Sequence, residues 1–129
     1  SMETAVIYNS DLYFEHKQWR RELFFWEDEI KSFKNRLSEL VVRWTDKKML
    51  AKLEHYQNQF IIQENIINKF LEEINVHETN IAAHYKKGED VLNQFLVKKH
   101  IEFRNHMDNQ RRIYTDLKKE FYHFLSEYM

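Results

Sequence analysis

From Leu12 to Trp44 the chain repeats a large side chain in alternating steps of four and three: Leu12, His16, Trp19, Leu23, Trp26, Ile30, Phe33, Leu37, Leu40 and Trp44. The mean spacing is 3.5 residues, slightly below the 3.6 of a straight α-helix. That spacing keeps one stripe turned toward a partner when helices wind around each other with a left-handed twist. A strand, with its period of two, would scatter the same residues over both faces. The pattern returns near the C-terminus as Leu96, His100, Phe103, Met107, Gln110, Tyr114, Leu117, Phe121, Phe124 and Tyr128. Between the two stripes, Leu53, Phe60, Ile67, Ile74 and Ile81 recur every seventh residue, with Tyr56, Phe70 and Leu71 beside them. A chain patterned this way folds as long helices packed on one another.

Punctuation divides these helices. The 129 residues contain one Gly and no Pro, so breaks are rare, and the Gly, Pro and Asn-Gly pairs that usually join strands are almost absent. One break falls around Arg43–Lys48, where Thr45 or Asp46 can accept the free N–H groups of a new helix. The other surrounds Gly88, the residue best suited to the left-handed conformation that ends many helices. Lys86 and Lys87 precede it and Glu89 and Asp90 follow it, signs that suit a helix C-terminus and then an N-terminus. The sequence therefore predicts a single all-α domain over 1–129, with helices at about 10–44, 46–87 and 89–128. At 1.5 Å per residue each would span roughly 50–60 Å. Short connections set neighbouring helices antiparallel, giving an elongated up-down-up bundle of three. Its architecture resembles that of spectrin-type repeats, without a shared motif. Three slender helices have a high ratio of surface to volume, so pairing of two copies into a larger bundle stays open as an expectation.

Several function classes fall away. Without Cys there is no disulfide, no thiolate metal site and no thiol nucleophile. Twenty basic residues stand against 21 acidic ones, and the basic doublets are interleaved with acids, so no nucleic-acid partner is expected. No helix pairs an apolar face with a uniformly basic one, and no apolar run approaches the roughly 20 residues of a membrane span, so no membrane partner is expected either. One Gly cannot build a phosphate-binding loop. Ser10, Ser32, Ser38 and Ser126 lack any arrangement with His and an acid that marks a nucleophile. Ser1 reads as a tag remnant, Glu3–Tyr8 show no signal-peptide pattern, and the expected compartment is cytoplasmic.

Histidine is the unusual element. His16 and His100 occupy stripe positions meant for apolar side chains, and His77 and His106 flank the stripes. Counting outward from the two breaks brings His16, His77 and His100 to nearly one level, one imidazole from each helix. Carboxylates lie within reach of that level: Glu15 and Glu22, seven apart and followed by Glu29, are on the flank of the first stripe. Glu73 precedes His77 by four residues, and Glu102 precedes His106 by four, so each pair shares a helix face. Imidazoles with carboxylates suit Zn, Fe or Mn, which makes His16, His77, His100, His106 and Glu22 a candidate metal-ligand set. The plain alternative is a structural polar layer that fixes register, with His100 bonded to Gln110 or a buried tyrosine. The pairs do not reproduce known metal bundles. A ferritin-like site needs Glu-x-x-His, one residue shorter than the pairs here. A hemerythrin-like site needs His-x-x-x-His or His-x-x-x-Glu, and His100 is followed at four by Arg104.

The first helix also carries surplus apolar residues, Phe24, Phe25, Val41 and Val42, beside its stripe. They either widen the face of a helix held between two neighbours or form a contact surface for another chain. Two functions follow. The leading one is a non-enzymatic helical interaction or scaffold module that needs no cofactor and acts through a protein partner or as a homodimer. The alternative is a bundle that binds a transition metal, Zn, Fe or Mn, in its core.

Overall fold

The structure is a computed structural model and describes residues 9–85 and 93–128. Three helices account for nearly all of them: α1 (Asn9–Arg43), α2 (Lys47–Tyr85) and α3 (Gln94–Glu127). No strand occurs among the described residues, and no helix among them is long and apolar enough to cross a membrane.

Side-chain chemistry explains the helix starts. Asp46 caps α2, its Oδ1 accepting from the Lys48 N–H at 3.2 Å. Asn93 caps α3, its Oδ1 accepting from the Leu96 N–H at 2.9 Å, with extended backbone at φ −69° and ψ 165°. That cap places the start of α3 at Gln94, later than the predicted 89. The predicted break at Gly88, with Lys86, Lys87, Glu89 and Asp90, lies outside the described residues.

Cross-helix partners give the directions of the helices. Between α1 and α2 the partner number falls as the chain advances, from His16–Glu78 through Arg20–Asn75 to Lys34–Glu64. These two helices therefore run in opposite senses. Between α2 and α3 it also falls, from Tyr56–Glu120 through Gln63–Gln110 to His77–His100. Between α1 and α3 it rises. Glu15 meets Arg104, Glu22 meets Arg111 and Glu29 meets Lys118, one rung every seven residues on both helices. Each rung is partly exposed and contributes under about 1 kcal/mol, so the ladder aligns the helices more than it stabilises them.

The stripes form the core. Leu23, Ile30, Phe60, Ile67, Ile74, Met107 and Phe121 are sealed from solvent, and Trp26 packs on Tyr114 with ring centroids 5.1 Å apart. Phe33 meets Phe60 and Phe121 at 5.1 and 5.2 Å, a spacing at which tilted aromatic pairs attract beyond simple burial. Two polar layers interrupt this apolar column. One is a hydrogen bond between buried Gln63 and Gln110. The other is the histidine level described below.

The surplus residues of α1 are not needed to fill the gap between two neighbours. Phe24 is 50% exposed, Phe25 58%, Val41 45% and Val42 85%.

Candidate metal centre

At the His16 level each helix presents one imidazole to the bundle axis. His16 and His100 hold stripe positions and are fully buried, and His77 comes in beside Ile74, half-buried. Ring centroids are 5.4 Å apart for His16–His77, 5.3 Å for His16–His100 and 5.7 Å for His77–His100, close to an equilateral triangle. One ring nitrogen from each residue lies within 4.8 Å of the other two. Trp19 leans on His100 and His16, with centroids at 5.1 and 5.5 Å, and walls the group off toward the middle of the bundle.

Carboxylates fix the outer edges of two rings. Glu78 on α2 meets His16 Nδ1 at 2.9 Å, and Glu15 on α1 meets His100 Nε2 at 2.7 Å. Each carboxylate is gripped on both oxygens by an arginine. Arg20 reaches Glu78 at 2.9 Å on each oxygen, and Arg104 reaches Glu15 at 2.9 and 2.7 Å. Burial pushes both carboxyls up, but the hydrogen bonds from arginine and histidine outweigh it and leave Glu15 and Glu78 below the usual range. An ionised carboxylate only accepts, so His16 carries its proton on Nδ1 and His100 on Nε2.

That assignment determines what points inward. His16 Nε2, His77 Nε2 and His100 Nδ1 are buried and have no hydrogen-bond partner. Two of the three are bare lone pairs by the argument above. Protonation does not relieve them. Burial, reinforced by repulsion from the neighbouring rings, holds His16 and His77 down at about 4, and burial likewise lowers His100. Near neutral pH the centre is three uncharged imidazoles with three unpartnered inward nitrogens, two of them acceptors, in a dry place, where an unsatisfied polar atom costs about 1–3 kcal/mol. Neutral imidazole whose far nitrogen donates to a carboxylate is the form in which histidine binds metal. On a tetrahedral ion with Zn–N near 2.05 Å, ligand nitrogens sit about 3.3 Å apart, so the rings would close in by up to about 1.5 Å.

The remaining candidates stand apart from this group. Glu22 is one rung along the ladder, paired with Arg111. His106 is exposed and lines a groove between α2 and α3. Glu73 shares that groove and faces Lys69 at 3.9 Å. His100 bonds Glu15 rather than Gln110, whose partner is Gln63. Of the residues that orient the rings, Glu15 was among the carboxylates the sequence places within reach of this level, whereas Glu78, Arg104 and Arg20 were not picked out. A signal for Arg104 was present: Arg104, Arg111 and Lys118 repeat at seven, as Glu15, Glu22 and Glu29 do.

No known protein family, characterised protein or solved structure matches the chain.

Proposed function

We propose that this bundle binds one divalent transition metal, zinc by preference, through His16 Nε2, His77 Nε2 and His100 Nδ1. The observation that carries this reading is the convergence of three buried ring nitrogens without partners, two of them held as lone pairs by Glu78 and Glu15. A divalent cation would turn three unpartnered ring nitrogens into three bonds, with His77 taking the tautomer that carries its proton on Nδ1. The donor set narrows the choice of metal. Three imidazoles with no carboxylate in contact suit zinc or iron, whereas manganese favours oxygen ligands. Glu22 and His106 are not needed as ligands.

Elemental analysis of protein purified without a metal-affinity column tests this, together with calorimetric titration of the chelator-treated protein with Zn²⁺. The expected result is one metal per chain, lost in His77→Ala while the far-UV circular dichroism is kept. Absence of binding in a folded protein rejects the reading.

A second reading concerns a different surface. The exposure of Phe24, Phe25 and Val42 along the outside of α1 supports a contact with another protein or a second copy of the chain, since such side chains gain by leaving water. Sedimentation of the wild type and of Phe24→Asp/Phe25→Asp tests self-association. A strictly monomeric wild type ends the homodimer version.

A further inference from the structure

The metal level has three flanks, one between each pair of helices, and they differ. The α1–α2 flank is closed by the Arg20–Glu78–His16 clasp, and the α1–α3 flank by Arg104–Glu15–His100. Among the described residues no carboxylate–arginine clasp joins α2 to α3 at this height. A groove of about 550 Å³ lies there instead, walled by Val76 on α2 and by Phe95 and Leu96 on α3, and His77 lines it. His77 is also the one ring of the three that is not fully buried. Three protein ligands leave a tetrahedral ion one position short, and of the three flanks the α2–α3 one is bordered by a groove rather than a clasp.

Resting on the metal reading above, we infer that the fourth coordination position opens past His77 into the α2–α3 groove and takes a small monoanionic donor of the carboxylate class. Charge favours an anion. Three neutral imidazoles leave the two positive charges of the metal without compensation in contact with it. The nearest carboxylates, Glu15 and Glu78, are already matched by Arg104 and Arg20. In a partly dry setting that imbalance draws an anionic ligand strongly. The walls limit which anion. Val76, Phe95 and Leu96 accept an apolar body, and two lysines supply cations at the rim: Lys99, whose ammonium lies 5.6 Å from the Phe95 ring centre, and Lys69, 3.9 Å from Glu73. Glu72, Glu73 and Glu102 share the groove and repel a multiply charged anion such as phosphate.

Cobalt reports this position directly, because its visible spectrum follows coordination number and ligand type. Protein loaded with Co²⁺ is titrated with acetate, azide and phosphate. Acetate and azide are expected to change the spectrum saturably, and phosphate far less. Val76→Trp fills the groove from an exposed position without touching the core. It is expected to bind Co²⁺ like the wild type while needing roughly tenfold more acetate for half-saturation. A cobalt spectrum that ignores both small anions overturns the inference and leaves the metal site standing. So does a Val76→Trp variant that responds as the wild type does. Failure of the folded protein to bind Co²⁺ or Zn²⁺ at all removes both proposals.

Discussion

Acidification of the metal-free protein should weaken it through the histidine level, by an amount that follows from the burial of the rings. His16 titrates near 6.5 in the unfolded chain and is held to about 4 in the fold, burial being the main cause. Between those values the unfolded state binds the proton and the folded state does not, so stability falls as pH falls. Going from about pH 7.5 to about pH 5, one such group lowers the unfolding free energy by about 2 kcal/mol. His77, lowered to about 4 by burial and by its two neighbouring rings, acts in the same direction. The lowered carboxyls of Glu15 and Glu78 protonate below this window and stay out of the measurement. For a domain of this size, 2 kcal/mol corresponds to a loss of roughly 8 °C in Tm. Thermal melts followed by circular dichroism across the range, with a chelator present, supply the test, and His16→Met should flatten the profile by about the share of one group. A wild-type Tm constant across the window would refute the argument that these rings are buried in neutral form. A variant whose profile is as steep as the wild type's would place the acid sensitivity elsewhere.

Saturating Zn²⁺ should raise the Tm, since a ligand at a hundred times its Kd adds about 2.7 kcal/mol, and the shift should vanish in His77→Ala. Replacing Glu78 or Glu15 by Gln should leave the fold intact and weaken Zn²⁺ binding by about 10- to 100-fold in calorimetric titration, because the carboxylate sets which nitrogen faces the ion. Gln63→Leu alone should destabilise by about 1–3 kcal/mol in urea unfolding by stranding buried Gln110, whereas Gln63→Leu/Gln110→Leu should recover most of the loss; equal losses in single and double variants would deny the pairing.

The sequence made the helices legible because their signal is dense. Nearly every position of the α1 and α3 stripes is a core residue, His16, His100 and Gln110 included, so spacing alone separated inside from outside. It also brought His16, His77 and His100 to one level, because two antiparallel connections convert residue count into height. Rotation about the helix axes was not legible. Glu22 and Glu15 share one flank of α1, and only the packed bundle shows that Glu15 meets His100 while Glu22 meets Arg111. Glu78 is adjacent to His77 in the chain yet turns about 100° away, toward His16 on another helix. The start of α3 was hidden for a different reason: the lone glycine marked the break, and Asn93, whose side chain caps the helix, was passed over.

The ladder between α1 and α3 is a ruler whose marks all look alike. Sliding α3 by seven residues would keep two of its three rungs matched in charge, because Glu15, Glu22 and Glu29 repeat with the same interval as Arg104, Arg111 and Lys118. The apolar stripes would tolerate the slide as well. The same step, however, would bring Met107 to the level of His16 and Leu117 to the level of Gln63, leaving buried polar groups with nothing to bond. The two polar layers are thus the marks that do not repeat. They single out one alignment from a series that charge and hydrophobicity alone would leave nearly degenerate.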